Sequence, residues 1–464
     1  MPYNSFNNDT IAAIATPLGL GGIGIVRMSG PRSREIAERL FQPKRSNVRF
    51  ESHRLYLGRL VNPSSGETVD EVLMSYMKAP NSYTGEDVVE INSHSGPILL
   101  SSILQIILQE GTRLAGPGEF TFRAFLNGRI DLTQAEAIVD LVNAKSEKGL
   151  TLASRQIIGE LRTRIEQLRQ KAIEILAHAE AAIDFPEEEP GLLQREQSVL
   201  LLENELMKPI QGIIADHSRR KIWIEGVKTV IAGRVNVGKS SLLNRLLNEQ
   251  RAIVSPFPGT TRDVIESTVY IEGVPFRLMD TAGIRKVRGR VEKIGIHLSE
   301  KTLSQADLAL ILLDQSRPLH GDDISIIARA PKDRSLIVIN KIDLLSKLDE
   351  NELEKAIHGL PVLRISALKG EGIHILCKAI REMAVKNDLD TAIQSFAPNQ
   401  RQKTCLQAAL NHFKNASVSL RQDLPLEIIA LDLKDGLDSL SDIIGETTNE
   451  EIYDRIFSDF CIGK

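Results

Sequence analysis

The sequence predicts an α/β plus α+β chain. A mixed α+β domain leads, a helical domain follows, and a doubly covered α/β domain is inserted into the helical one. Three observations carry this. The texture from Asp9 to about Phe120 is short β-like runs broken by Gly, Pro and Asn, and it changes to a helical period after Thr121. Apolar runs too continuous for one-sided strands occur between Lys221 and about Met383 and suit a parallel sheet buried on both faces. Helical periodicity returns after about Ala384. At about 150 residues per domain, a chain of 464 residues holds roughly three domains. The expected limits are residues 1–120, 121–220, 221–384 and 385–464.

In the leading segment, Thr10–Ala15 and Ile23–Arg27 read as strands flanking the turn Gly19-Leu-Gly-Gly22, and Val88–Ile91 reads as another. Ser33–Phe41 and Pro97–Gln109 read as helices, the second apolar almost all round and so expected to be buried. Leu161, Ile165, Leu168, Ala172 and Ile175 recur at helical spacing and place one apolar stripe along a long helix. Pro186 interrupts it, and Gln197–His217 continues the helical texture. In the inserted part, Thr229–Ala232, Leu308–Leu313 and Ser335–Ile339 are the continuous apolar runs. Val264–Ile271, Glu272-Gly273 and Val274–Met279 read as a hairpin. Leu426, Ile429, Ala430, Leu433, Leu437, Leu440 and Ile444 mark one face of a late helix. Neither helical block has an obvious partner of its own, which is why one interrupted helical domain is the economical reading.

Composition narrows the function. Apolar residues are 42% and charged residues 25%, ordinary for a globular chain and incompatible with collagen-like or disordered classes. Lys and Arg number 57 against 61 Asp and Glu, a net charge of −4. A protein that coats nucleic acid needs a large positive field, whereas a local patch for such a substrate stays open. Three dispersed cysteines without a CxxC pair argue against structural zinc and suit a reducing cytoplasm. The first ten residues carry no Lys or Arg, unlike a signal peptide, and no apolar run reaches the length of a membrane span.

The chemistry starts at Gly233-Arg-Val-Asn236-Val237-Gly238-Lys239-Ser240-Ser241, a phosphate-loop pattern between a predicted strand and a predicted helix. Backbone N–H groups of such a loop wrap phosphates, Lys239 reaches the β and γ phosphates, and the Ser240 hydroxyl ligates Mg²⁺. Asp280-Thr281-Ala282-Gly283 closes the next strand, with a carboxylate for the Mg²⁺ shell and a Gly283 N–H for the γ-phosphate. Thr261, in Gly259-Thr260-Thr261, completes the metal site. Asn340-Lys341-Ile342-Asp343 closes a third strand. A carboxylate at Asp343 accepts two hydrogen bonds from the guanine N1–H and 2-amino group, a pair adenine does not offer. Ser366-Ala367-Leu368 follows another strand, at the place of a loop that contacts guanine O6. Four elements in this order read as a GTP-hydrolysing domain with a Ras-like P-loop fold. Ile284 occupies the position of the Ras water-orienting Gln and cannot orient water, so another group must.

With these motifs, the chain resembles one family along nearly its whole length, the MnmE (TrmE) family of bacterial tRNA-modification GTPases. The resemblance is carried by Ala15–Arg27, Asn81–Glu90, Pro117–Asn127, the place of the GTPase insertion and the last four residues, Cys461-Ile-Gly-Lys464. It implies a potassium-dependent GTPase working as a homodimer with a flavin-containing partner, MnmG, in a heterotetramer. Its substrate would be the wobble uridine, position 34, of certain tRNAs, which gains an aminomethyl or carboxymethylaminomethyl group at C5. The N-terminal α+β domain would bind a 5-formyltetrahydrofolate-type folate and form the dimer. The resemblance also assigns residues. Asn236, Ser255, Phe257 and Thr260 fall at K⁺-ligand positions, within a loop that includes Pro256 and Pro258 and lines the GTP site. Glu292 falls at the catalytic carboxylate. Arg27, Glu90, Arg129 and Lys464 fall at folate contacts, and Cys461 at a residue of the one-carbon chemistry. On local sequence alone Cys461, between Phe460 and Ile462, reads as a buried apolar thiol, and His94 reads as a turn residue. The competing reading is a ribosome-assembly GTPase switch, which would call for a basic RNA-binding module.

Overall fold

The computed structural model describes residues 9–19, 21–45, 48–184, 195–249, 267–279, 303, 305–385, 397–447, 450–458 and 460–464. They form two compact units: Met1–Val142 with Ala153–Gly212 and Gln400–Lys464, and Asn143–Leu152 with Ile213–Asn399.

The first unit opens with a seven-stranded sheet: β1 (Ile11–Ile14), β2 (Ile23–Ser29), β3 (Phe41–Pro43), β4 (Arg54–Val61), β5 (Thr68–Met77), β6 (Val88–His94) and β7 (Arg113–Leu114), in the order β3-β4-β5-β6-β2-β1-β7. One face is sealed by the helices Ser33–Leu40 and Pro97–Gln109. Val26, Met28, Leu60, Val72, Met74, Val89 and Ile91 of the sheet pack there against Ile36, Leu40, Leu100, Ile103 and Ile107. Each such side chain contributes about 1.5–3 kcal/mol over leaving it in water. Pro97–Gln109 is not buried all round, because Ile98 at its start is 85% exposed. The hairpin of β4 and β5 escaped the sequence reading. Leu55, Leu57 and Leu73 project from its outer face and remain exposed, so the polar alternation that flags a half-buried strand is missing.

The two helical stretches supply each other's partner within this unit. In Glu160–Asp184 the expected stripe of Leu161, Ile165, Leu168, Ala172 and Ile175 is buried. The helices Gln400–Arg421 and Leu426–Ile444 complete the core with Leu406, Ala409, Phe413, Ile429, Leu433 and Leu440. Arg401 crosses between them: it donates to both Glu136 carboxylate oxygens, at 2.7 and 2.9 Å, and to the carbonyls of Asp442 and Ile443. These last two carbonyls belong to the final turn of a helix, where no intrahelical donor is available. The helical stretch expected over Gln197–His217 is present, with a π-helical segment at Leu202–Met207 between the α-helices Arg195–Leu201 and Lys208–Ala215.

The second unit is a six-stranded sheet: β8 (Val227–Ala232), β9 (Ser267–Ile271), β10 (Val274–Met279), β11 (Leu308–Asp314), β12 (Ser335–Asn340) and β13 (Val362–Arg364), in the order β13-β12-β11-β8-β10-β9. All pairs are parallel except β9 with β10. Leu308, Leu310, Leu312, Leu336 and Val338 face one hydrophobic layer, and Ile311, Leu313, Ile337 and Ile339 face the other, as the unbroken apolar runs require. Glu272 and Gly273 turn the hairpin with φ of 47° and 81°, the positive pair that suits the strand twist. Asn143–Leu152 joins this unit through Trp223. Ser146 Oγ donates to the Trp223 carbonyl at 2.7 Å, and Lys148 Nζ lies 4.3 Å from its ring centroid.

Gly436 lies flat against the Phe413 ring, where a Cβ would stand 2.6 Å from Cε1. Gly436→Val is expected to destabilise the first unit by about 1–3 kcal/mol through overpacking. A lowered unfolding midpoint in chemical denaturation checks this, and an unchanged midpoint contradicts the packing described.

Candidate functional site

The parallel strands of the second unit end on one edge, and every described nucleotide-site element leaves from that edge. This is where ligands bind in open α/β sheets. β8 runs into the loop Gly233–Lys239, which leads to the helix Lys239–Glu249. Gly233 has φ of 151° and Gly238 has φ of 104°. A Cβ at Gly233 would lie 2.5 Å from the Leu312 carbonyl, and one at Gly238 would collide with the Asn340 side-chain amide. Both glycines are therefore required by space as well as by dihedral. Asn236 also stands in the left-handed region, φ 66°, which Asn tolerates better than most residues. Lys239 Nζ spans the loop to the carbonyls of Gly233 and Arg234 at 2.6 and 2.7 Å.

Asn340, the last residue of β12, is 1% exposed. Its Nδ2 donates to the Val237 carbonyl at 2.9 Å, and its Oδ1 accepts from the Ala367 N–H at 2.9 Å. One side chain thus joins the phosphate loop, the Asn340–Asp343 loop and the Ser366–Leu368 loop. Lys341 adds a second tie. Its Nζ donates to the Asn236 carbonyl at 2.8 Å and to Asp314 Oδ2 at 2.6 Å. The Asp343 carboxylate accepts from Ser366 Oγ at 2.6 Å, and that hydrogen bond holds it below the ordinary carboxylate range. It is ionised and solvent-facing, as a reader of two guanine donors must be. Arg245, on the helix after the phosphate loop, donates to the carbonyls of Ala367 and Leu368 and holds the third loop from below.

The first unit carries a second cluster. Arg27, mid-strand in β2, stands opposite Glu90 of β6 in register. Its Nε and Nη2 reach Glu90 Oε1 at 2.8 and 2.7 Å. Its guanidinium carbon lies 5.5 Å from the Tyr83 ring centroid and 5.6 Å from that of Phe120. The chain's last residues dock here by backbone. Cys461 O accepts from Gly118 N at 3.3 Å, Ile462 bridges to Pro117, and Gly463 O accepts from Arg27 Nη1 at 3.4 Å. Gly463 has φ of 96° and no room for a Cβ against the Ile14 carbonyl. Arg129 is not part of this contact set. It lines a neighbouring cavity of about 550 Å³ with His53, Asn81, Ser82 and Gln134, and Tyr83 also lines that cavity. Cys461 is an exposed residue rather than a buried one. His94 ends β6 and pairs with Asp70 at 2.9 Å instead of sitting in a turn.

Residues 132–461 match the family model described as the MnmE helical domain, and residues 10–129 match that of the GTP-binding protein TrmE N-terminus. A protein of Carboxydothermus hydrogenoformans named tRNA modification GTPase MnmE is 45% identical over 98% of this chain and 99% of its own length. The chain belongs to the MnmE family. The Bacillus subtilis protein of the same name is 42% identical over 98% of this chain and 100% of the relative. Among solved structures, the G domain of the T. maritima FeoB iron transporter is 26% identical, with a TM-score of 0.25, over 34% of this chain and 98% of that one. No helix among the described residues is long and apolar enough to cross a membrane.

Of the expected MnmE-type site residues, Ser255–Thr261, Asp280–Gly283, Ile284 and Glu292 lie outside the described residues. Ser240 and Ser241 occupy the first turn of the helix after the phosphate loop. Sequence reasoning missed Asp314, Arg245, Tyr83 and Phe120. A lone carboxylate closing the apolar run Leu308–Leu313 was the available signal for the first. The aromatic pair lies in the segments Asn81–Glu90 and Pro117–Asn127 that carry the resemblance, but nothing in the sequence shows that the two rings meet at Arg27.

Asp343→Asn should weaken GTP binding and create binding of xanthosine triphosphate, whose 2-oxo group offers an acceptor where guanine offers a donor. The fall should be tenfold or more if about 1.5–3 kcal/mol of charge-assisted hydrogen bonding is lost. Competition binding of the two nucleotides reads it, and unchanged GTP affinity removes Asp343 as the base reader.

Proposed function

We propose that this GTP hydrolase acts in tRNA modification as its family does. With a flavin-containing MnmG protein, it would install an aminomethyl or carboxymethylaminomethyl group at C5 of the wobble uridine, position 34, of certain tRNAs in the cytoplasm. The one-carbon unit comes from a 5-formyltetrahydrofolate-type folate. The observation that carries the reading is the pairing, in one chain, of a preformed guanine-nucleotide edge with a C-terminal Cys-Ile-Gly-Lys tail seated on the Arg27–Glu90 pair. A simple GTPase switch has no use for the second.

In the nucleotide site, the backbone N–H groups of Val237–Ser241 and the Lys239 ammonium bind and neutralise phosphate oxygens at a helix N-terminus. Gly233 and Gly238 supply the positive-φ turns that let the loop close around a phosphate. Ser240 and Thr261 would hold Mg²⁺, with the Asp280 carboxylate contributing negative charge to the same metal site. Asn236, with Ser255, Phe257 and Thr260, would hold K⁺, and that ion would supply positive charge to balance the charge developing on the phosphates. Glu292 orients the attacking water that Ile284 cannot. In the folate site, Arg27, Glu90 and Lys464 would hold the ligand, with Arg129 reaching it from the neighbouring cavity it lines. The Glu90 carboxylate, held in place by Arg27, would accept hydrogen bonds from N–H donors of the folate ring.

Homodimerisation through the first unit is supported by the outer face of its sheet. Leu55, Leu57 and Leu73 are 64%, 43% and 40% exposed there, and Leu57 pairs directly with Leu73 across the strands. Contiguous exposed apolar surface of this kind marks an interaction site. The row beginning at Leu55 continues through Ser75 and Glu90 to Arg27, so a partner covering it would also shield the folate site.

Nucleoside analysis of tRNA from a strain lacking the gene tests the whole reading, and normal wobble modification ends it. Turnover of GTP should rise when potassium replaces sodium at equal ionic strength with nucleotide saturating. Equal rates in the two salts refute the cation role given to Asn236. For Cys461, an exposed thiol can act as nucleophile or acid where a buried one cannot. Cys461→Ser should leave GTP hydrolysis and the melting midpoint parental while tRNA loses the modification. Full modification in cells carrying the variant would reduce the tail to a lid.

A further inference from the structure

We infer that Asp314 is a positioning residue of the guanine-nucleotide site: it holds Lys341 so that the base-reading loop and the phosphate loop form one prebuilt surface. The inference rests on reading Asn340–Asp343 as the base-reading segment, and it adds a residue outside every motif used for that reading.

Asp314 is the last residue of β11 and stands beside Asn340 in the β11–β12 register. Its side chain is 1% exposed. The two carboxylate oxygens have separate tasks. Oδ1 accepts from Ser316 N at 3.0 Å and Ser316 Oγ at 2.6 Å, forming its own turn. Oδ2 accepts from Lys341 Nζ at 2.6 Å, with Arg317 Nε at 3.7 Å. Burial alone would raise this carboxyl, but the hydrogen bonds from Lys341 and Ser316 outweigh it and hold the group below its ordinary value. Lys341 Nζ spends its second donor on the Asn236 carbonyl at 2.8 Å. The chain of contacts therefore runs from β11 to the base-reading loop and on to the tip of the phosphate loop.

Both ends of the Lys341 bridge are backbone turns that side-chain-bearing residues adopt reluctantly. Lys341 has φ of 67° and Asn236 has φ of 66°, and such conformations persist where surrounding contacts over-determine them. The Asp314–Lys341–Asn236 chain is such a contact set. Lys341 alone would be a flexible, strongly hydrated ammonium on a four-carbon stem. Tied to a buried carboxylate, it is placed before nucleotide arrives, and less ordering is left for binding to supply.

A purely local role for Asp314, capping the turn at Ser316, is distinguishable because it uses the other oxygen. Asp314→Asn keeps an acceptor for Ser316 and presents a neutral group to Lys341. Fluorescent GDP loaded on the full-length protein should leave about tenfold faster or more from Asp314→Asn, the loss of one charge-assisted hydrogen bond. Ser316→Ala, which disturbs the turn but not the lock, should release GDP at the parental rate. Lys341→Met should also release faster, and adding Asp314→Asn to it should change little further. Parental release from Asp314→Asn, or penalties that add in the double variant, overturns the inference. Should Asp314→Asn fail to fold, Asp314→Glu carries the same test, with an intermediate release rate expected and a parental one contradicting. The reading beneath is checked separately by the parental protein's preference for GDP over ADP. If that preference is absent, both fall. If it is present and the Asp314 variants behave as parental, only the inference falls.

Discussion

The Asn340 carboxamide is the constraint on which the nucleotide edge depends. It donates to Val237 and accepts from Ala367 in a position water does not reach. Each bond contributes a net of about 0.5–1.5 kcal/mol, yet leaving either buried partner unmade costs about 1–3 kcal/mol. Aspartate would lose the donor, and glutamine would be one methylene too long for the space beside Gly238. Gly238, in turn, is glycine because the amide occupies the place of its Cβ. The spacing of the phosphate-loop motif and the identity of the first residue of the Asn340–Asp343 motif are therefore one packing solution, although about a hundred residues separate them in sequence.

The second site is built on a different principle. The tail is held by backbone: the Cys461 carbonyl on Gly118, the Ile462 bridge to Pro117 and the Gly463 carbonyl on Arg27. Side chains matter mainly where they must be absent, as at Gly463, or where Tyr83 and Phe120 flank the Arg27 guanidinium at 5.5 and 5.6 Å from its carbon. Stacking a guanidinium on aromatic faces while its fork grips a carboxylate is a task lysine performs poorly. This docking leaves Cys461 exposed, since the backbone supplies the anchoring that a buried side chain would otherwise provide.

How much of this could be read in advance follows from which interactions leave a local trace. The phosphate loop, Asn340–Asp343 and Ser366–Leu368 were legible because their roles fix residue type at short spacing and at strand ends. The buried stripe of Glu160–Asp184 was legible because 3.6-residue periodicity survives in the sequence. The β4–β5 hairpin was not, because Leu55, Leu57 and Leu73 make its outer face apolar too. Asp314 was not, because a carboxylate ending an apolar run looks like any polar stop until the register sets it beside Asn340. The burial expected of Cys461 failed for a related reason: flanking apolar residues do not imply a core, because the tail is anchored by backbone and leaves both Cys461 and Ile462 exposed.

The identity of Asn236 can be argued from the same geometry. The tip of the phosphate loop needs a left-handed residue, φ 66°, whose carbonyl is turned toward Lys341. Glycine would take that conformation at the lowest steric cost, but it brings no side-chain oxygen. Aspartate tolerates the region about as well as asparagine, but it would set a negative charge beside the phosphates, where each added anion works against binding and against the charge that develops in the transition state. Serine offers an oxygen with a shorter reach and a poorer fit to this dihedral. Asparagine alone combines tolerance of the turn, a neutral oxygen donor for a cation and no charge of its own. The turn that makes it suitable is also the turn whose carbonyl the Lys341 bridge holds, so the residue proposed to hold the cation is positioned by the contacts that also position the base-reading loop.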